Sequence, residues 1–251
     1  MRAVDALLER TFAAEQRHFW FRGFRRFVRP LLQLATAGVT HPRLLDAGCG
    51  TGTNLMLLQR YGTPYGLELQ WRGLRFARDR GLPRLTQGSV TALPYASSSM
   101  DVVASFDVLY CLPDASETAA ISEMNRVLKP GGALILNVAA MKMLTGDHSV
   151  LGGEVRRYSR HELRQKLEAA GFRVARITYT NASLFPIAAT VRWFQRFRGL
   201  KAGDENRGDF YVPPWPVNAI FSGALALESV LVTAGLNMPV GSSLLCLARK
   251  L

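Results

Sequence analysis

Short apolar runs alternate with stretches of helical period from Arg43 to Val138. The pattern predicts strands at residues 44–47, 65–69, 84–87, 102–105 and 133–138, and helices at 54–60, 71–80 and 115–128. Strands separated by helical windows imply right-handed crossovers and a parallel sheet whose strand ends share one rim. Further on, Ser159-Arg160-His161-Glu162 reads as a capping box that opens a helix running to Ala170, with Gly171 as its stop. A sixth strand follows at 172–179, a helix rich in aromatic residues and arginine at 184–197, and a closing strand at 242–248. Between these last two lie a polar, proline-bearing loop at 199–216 and an apolar helix at 217–236. That helix contains Asn218, Ser222, Glu228 and Ser229, which makes it a poor membrane span and a better core or interfacial helix. The first forty residues read as helical over 4–17 and 24–37, with Gly23 and Pro30 as interruptions.

The stretch Leu44-Leu45-Asp46-Ala47-Gly48-Cys49-Gly50-Thr51-Gly52 carries the most information. An apolar pair and an acid lead into glycines at alternate positions and then into an amphipathic helix pattern. A buried strand ends there in a tight turn whose missing side chains let a ligand lie against the backbone. The free N–H groups of the following helix point to the same place. The spacing G-x-G-x-G differs from the dinucleotide fingerprint G-x-G-x-x-G. Four more blocks follow in order. Tyr65-Gly66-Leu67-Glu68-Leu69 ends in an acid about twenty residues after the turn, a distance that suits a carboxylate accepting from ribose hydroxyls. Gln87-Gly88-Ser89-Val90, with Ala92-Leu93-Pro94-Tyr95, forms a loop at the end of the third strand. Met100 to Leu109 reads as the fourth strand and the residues just after it, and Arg126 to Leu136 as a helix end, a turn and the fifth strand.

Together these blocks resemble the class I S-adenosylmethionine-dependent methyltransferases, over roughly residues 44–174. The resemblance implies an α/β, Rossmann-like fold, doubly wound around a seven-stranded, mostly parallel sheet with an antiparallel closing strand. It also implies S-adenosylmethionine as cofactor and S-adenosylhomocysteine as its product. Carried over position by position, Asp46, Gly48, Gly50 and Gly52 would shape the methionine end of the pocket. Glu68, with Leu69 beside it, would hold the ribose. Ser89 and Val90 would edge the adenine, while Phe106 and Asp107 would line the floor. Many members carry an acid at the Ser89 position for the adenine amino group; here a serine hydroxyl or the backbone would accept that bond. Asp107 has a second reading, as a cap of the next helix. The expected organisation is a helical N-terminal cap at 1–42 and a methyltransferase domain at 43–251, with a helical cap insert at about 183–238.

The acceptor side is read from residues 145–158, a polar, glycine-bearing loop after the fifth strand, where this family admits its acceptor. His148 has an ordinary pKa of roughly 6.5 and could take a proton near neutrality. With Asp107 it is the candidate catalytic residue. Arg156, Arg157 and Tyr158 could clamp a phosphate or carboxylate, or could be surface charge ahead of a helix. Tyr110 joins them as a candidate substrate contact. In His18-Phe19-Trp20-Phe21-Arg22-Gly23-Phe24-Arg25-Arg26, aromatic residues and arginines interleave. The segment could lie on lipid, form a lid in which His18 and Trp20 cover the cleft, or pack as a helix on the sheet. It resembles, with Arg156-Arg157-Tyr158 and the stretch Asn237 to Ser243, a bacterial subgroup of the same family.

Composition adds one feature. At 251 residues and 48% hydrophobic content, the chain can bury the core of a globular domain. Cys49, Cys111 and Cys246 have no metal-like spacing, so no metal site is expected; their odd number, with no signal peptide, suggests a cytoplasmic setting, with the inner membrane face as an option. The net charge of +12 favours contact with something anionic, whether nucleic acid, a phosphorylated metabolite or an acidic membrane, although a high-GC genome would also enrich arginine without any partner. The reading that results is methyl transfer by in-line displacement to a small, anionic or amphiphilic acceptor. An RNA methyltransferase is the alternative enzyme. Asp107-Val108-Leu109-Tyr110 lacks the two prolines before an aromatic that mark amino-group nucleic-acid methylases, and no Pro-Cys pair marks a cytosine C5 enzyme. A non-catalytic cofactor-fold partner protein is the third reading, and the oligomeric state is left open.

Overall fold

Seven strands lie side by side in the order β3-β2-β1-β4-β5-β7-β6. In the computed structural model, which describes residues 2–147, 149, 153–199 and 211–251, they are β1 (Arg43–Ala47), β2 (Thr63–Glu68), β3 (Leu85–Gln87), β4 (Met100–Phe106), β5 (Leu128–Ala139), β6 (Phe172–Thr180) and β7 (Ser243–Lys250). β1 to β5 pair in parallel, and β7 runs antiparallel to both β5 and β6. All seven predicted strands are present; β5 begins earlier than its apolar run, at Leu128. The helices are α1 (Arg2–Ala14), α2 (Phe19–Thr36), α3 (Thr53–Leu58), α4 (Trp71–Asp79), α5 (Asp114–Val127), α6 (Arg160–Ala169), α7 (Phe185–Phe197) and α8 (Trp215–Thr233). The expected capping box is formed at α6. Glu162 N–H donates to Ser159 Oγ at 3.2 Å, and Ser159 N–H donates to Glu162 Oε2 at 2.7 Å.

Successive strand residues face opposite sides of the sheet, and both sides are filled. Leu45, Val103 and Leu134 pack with Ile121 and Met124 of α5 and Leu163 of α6. Their neighbours Leu44, Val102 and Ile135 pack with Phe27 and Leu31 of α2 and Leu225 of α8. A sheet covered on both faces needs apolar residues at consecutive positions, and β4 is buried everywhere except Asp101.

Two expectations fail at the helices. α2 runs unbroken from Phe19 to Thr36, through both Gly23 and Pro30. The proline forfeits one intrahelical hydrogen bond, but Phe24, Phe27, Val28, Leu31, Leu32 and Ala35 are all buried on one side, and that packing outweighs the loss. Gly23 is a spacer rather than a break, because a Cβ there would stand 2.5 Å from Leu225 Cδ1 of α8. The proposed N-terminal cap therefore divides. α2 is a structural layer of the sheet whose first turn, at Trp20 and Phe21, reaches the rim, and α1 lies over the rim. The late insert divides as well: α8 packs on α2, with Phe19 N–H donating to Asn218 Oδ1 at 2.9 Å, whereas α7 buries none of its residues.

Candidate functional site

β1 ends at Ala47, and the chain reverses over the carboxyl end of the sheet. Gly48 and Cys49 N–H both donate to Leu67 O, at 2.8 and 2.9 Å, which ties the turn to β2. Gly48 has φ of 93°, and a Cβ there would meet Val108 Cγ2 at 2.3 Å, so both conformation and space demand glycine. Gly50 is different: nothing but Leu8 Cδ2, at 4.0 Å, faces its Cβ position. The space beside its Cα is open. Glu68 at the end of β2 accepts from Gly50 N–H at 2.9 Å and from Gln70 N–H at 2.8 Å, one bond to each oxygen. Below the turn, Asp46 is 1% exposed, and among the described residues neither carboxylate oxygen has a hydrogen-bond partner. Burial, with Glu68 adding to it, pushes this carboxyl up to about 8.

A cavity of about 620 Å³ opens from Gly48, Cys49 and Gly50, a volume suited to small molecules. Its floor is Phe106 and Asp107 at the end of β4. Asp107 takes a left-handed backbone, φ 62°, a strained conformation of the kind that clusters at functional sites. Asn137 of β5 holds it twice: Asp107 N–H donates to Asn137 O at 3.0 Å, and Asn137 Nδ2 donates to Asp107 Oδ1 at 2.9 Å. Burial pushes the Asp107 carboxyl up to about 7 against the pull of that second bond. Its alternative reading as a helix cap fails, because Pro113 occupies the cap position of α5. Beyond Asp107 the wall carries Tyr110, Glu154 and Arg157. Burial, with Asp107 next, raises the Tyr110 phenol. Arg157 Nη1 donates to Ala140 O at 3.0 Å and Nη2 to Ser149 Oγ and Glu154 Oε1 at 3.1 Å each, while its Nε is buried without an acceptor. The remaining wall is largely apolar, from α1, from His18, Trp20 and Phe21 of the aromatic segment, and from α7.

Residues 45–136 match the model of a methyltransferase domain. The chain is 32% identical, over 60% of its length, to malonyl-[acyl-carrier protein] O-methyltransferase of Herminiimonas arsenicoxydans. It is 34% identical, over 52% of its length, to a ubiquinone/menaquinone biosynthesis C-methyltransferase of Syntrophotalea carbinolica. These stretches cover 60% and 55% of the two relatives, so the chain spans little more than half the length of the curated relatives it matches. Among solved structures, geranyl diphosphate C-methyltransferase of Streptomyces coelicolor, crystallised with S-adenosylhomocysteine, superposes with a TM-score of 0.56. It is 16% identical, and the match covers 88% of this chain and 77% of that one, a likeness of fold. Residues 45–136 are thus a methyltransferase domain of the class I, S-adenosylmethionine-dependent kind. Its residues fit that cofactor. A buried carboxylate, unpartnered among the described residues, suits a cationic methionine end, the open space at Gly50 suits close backbone approach, and each Glu68 oxygen keeps a lone pair for a ribose hydroxyl.

The fold brings only some of the expected residues into the cavity. Gly48, Gly50, Phe106, Asp107, Tyr110, His18, Trp20 and Arg157 line it. Asp46, Gly52, Glu68, Leu69, Ser89 and Val90 lie outside its wall, Asp46 buried beneath the turn. Ser89 Oγ is engaged 2.7 Å from Thr91 Oγ1, Val90 packs in the core, and Leu69 is exposed. Arg156 and Tyr158 are corrections. Both turn away from the cavity to Glu117 of α5, a fully buried carboxylate that receives Tyr158 Oη at 2.7 Å, Lys166 Nζ at 2.9 Å and the Arg156 guanidinium. Arg157 between them points the other way. His148 lies outside the described residues. His18 acts as the cap of α2, its Nδ1 accepting from Trp20 N–H at 3.1 Å.

Sequence reasoning missed how α1 is fastened over the turn. Glu15, just past its end, is 2% exposed, accepts from Thr51 Oγ1 at 2.7 Å and pairs with Arg80. Phe12 stacks on Phe76 at 4.4 Å, and the Arg80 guanidinium lies over the Phe12 ring. Nothing local separates Glu15 from a surface acid, since its partners stand far along the chain. Glu154 was also overlooked; an acid three residues before an arginine is an ordinary surface pattern.

Proposed function

We propose that the chain transfers a methyl group from S-adenosylmethionine to a small amphiphilic acceptor, with a polar head and an apolar body. The observation that carries this reading is the continuity of one cavity. It runs from the glycine turn at Gly48 and Gly50, past Asp107, to Glu154 and Arg157, and along the apolar side of α7. When bound, the cofactor supplies an electrophilic methyl group on a sulfonium. The protein aligns the acceptor, and alignment alone is worth on the order of 7–11 kcal/mol. Asp107, fixed by Asn137 and ionising near neutrality, accepts the proton that the acceptor gives up. Arg157 is already paired with Glu154, so the two offer the head a donor and an acceptor rather than a bare cation. That favours a hydrogen-bonding or singly charged head over a multiply charged phosphate. The names of the relatives, one acting on malonyl-[acyl-carrier protein] and one in ubiquinone/menaquinone biosynthesis, support acceptors outside nucleic acid.

Incubation with methyl-tritiated S-adenosylmethionine and cell extract, followed by solvent partition, tests the acceptor. Label is expected in small molecules that enter the organic phase. Label in RNA would replace the acceptor class and leave the activity standing. Failure to bind S-adenosylhomocysteine in calorimetry would remove the activity and favour a partner protein.

A further inference from the structure

α7 exposes what a helix of a globular domain ordinarily hides. Trp193 and Phe197 stack at 5.9 Å between ring centroids and are 60% and 80% exposed. Phe194 beside them is exposed as well. The helix carries Arg192 and Arg196 and no acid. α8 continues the pattern. Its outward side carries Ile220, Leu227 and Val230, all exposed, and its sole ionisable residue, Glu228, is buried and accepts from Ala182 and Ser183 N–H at 2.9 and 2.8 Å. By length and composition α8 could cross a membrane, yet its other side is committed to the fold, with Leu225 and Val232 fully buried. It can lie along a bilayer without unpacking the core; it cannot span one. α2, against which α8 packs, also lacks acids and exposes Arg22 and Arg29, two helical turns apart.

We propose that the α7–α8 face docks this protein on an anionic lipid bilayer. Aromatic rings between arginines, on a helix with no buried face, have the composition of an interfacial helix. Arg196, Arg22 and Arg29 meet lipid phosphates, and the aliphatic side chains of α8 enter the acyl boundary. Charge decides against a second copy of the chain as occupant, because two such faces would set arginines against arginines in molecules of net charge +12. The docked orientation has a further use. Ile187 and Val191 of α7 line the cavity and are also exposed, 51% and 46%, so the cavity opens beside the docking face. An acceptor with an apolar body would then enter directly from the membrane. The docking does not depend on the proposed acceptor or on methyl transfer.

Vesicle flotation of the full chain tests it, with phosphatidylcholine alone and mixed with phosphatidylglycerol. The chain should float with the anionic vesicles at low salt, and much less with neutral ones or at high salt. W193S/F197S should cut the partition coefficient at least about tenfold. R196E should cut it about fivefold on anionic vesicles only. Unaltered S-adenosylhomocysteine binding by both variants shows that they fold. Brominated-lipid quenching of tryptophan in the wild-type chain, weakened in W193F, gives a readout that needs no disruptive change. Absence of flotation, or flotation and quenching indifferent to the α7 substitutions, overturns the proposal. So does a dimer in light scattering that I220S/L227S dissociates, since a second copy would then cover the face.

Discussion

The cofactor rim and the acceptor wall of this cleft are built by different rules. The rim is backbone. Gly48 and Cys49 hang from Leu67 O, Gly50 from Glu68, and the whole device lies within about two dozen residues of sequence. The acceptor wall is made of side chains brought from α1, the segment around Arg157, and α7, and it is held by ties such as Glu15 to Arg80 and Arg157 to Glu154. A rim of backbone tolerates little change, because a glycine can be replaced only by adding atoms. A wall of side chains can be rebuilt one residue at a time, which is how a single fold comes to accept many acceptors.

The contrast can be broken most severely at Gly48. In G48A a left-handed backbone costs about 2 kcal/mol, and the clash with Val108 adds about 2 kcal/mol more. S-adenosylhomocysteine affinity should fall on the order of a thousandfold, measured by calorimetry. G153A sharpens the point: Gly153 has φ of 66° but, among the described residues, nothing within 4 Å of its Cβ position, so only the backbone cost applies and cofactor affinity should hold.

R80A comes next. It leaves Glu15 buried without its cation, at a cost of about 3 kcal/mol in urea unfolding. Because α1 loses its fastening, trypsin should cut ahead of α2 faster than in the wild type. D107N tests the junction of the two regions. Turnover should fall about a hundredfold with cofactor affinity kept, and the rise of the wild-type rate through pH of about 7 should disappear. Stability should change with pH in the opposite sense. Between its ordinary 3.8 and about 7 the folded protein binds a proton that the unfolded chain has released. Wild-type stability therefore falls as pH rises through that interval; the Asp46 carboxyl, pushed up to about 8, adds a fall of the same sign, so D107N makes the slope shallower and leaves the Asp46 part. Y158F is the mildest change. Glu117 loses one of its donors, for about 1 kcal/mol, and the KM for the acceptor stays the same. A raised KM would return Tyr158 to the site.

The same contrast explains what could be read in the sequence. The strands were legible because a sheet buried on both faces needs consecutive apolar residues, and the rim because its glycines must alternate. Gly23 and Pro30 misled for the opposite reason. Local chemistry at those positions favours a break, but the buried face of α2 and the approach of Leu225, some two hundred residues away, decide the outcome. Arg156, Arg157 and Tyr158 look equivalent in sequence. Only the buried Glu117 on one side and the cavity on the other sort them. Glu15 carried no signal at all, since its worth depends on Thr51 and Arg80.

The position of β7 has a consequence for how the molecule is made. It leaves the ribosome after β6, yet it takes its place between β6 and β5. Until it arrives, β5 presents an unpaired apolar edge and β6 has no neighbour to zip against. The nascent chain is thus open to wrong strand partners until β7 emerges, and insertion of that one strand closes both gaps together.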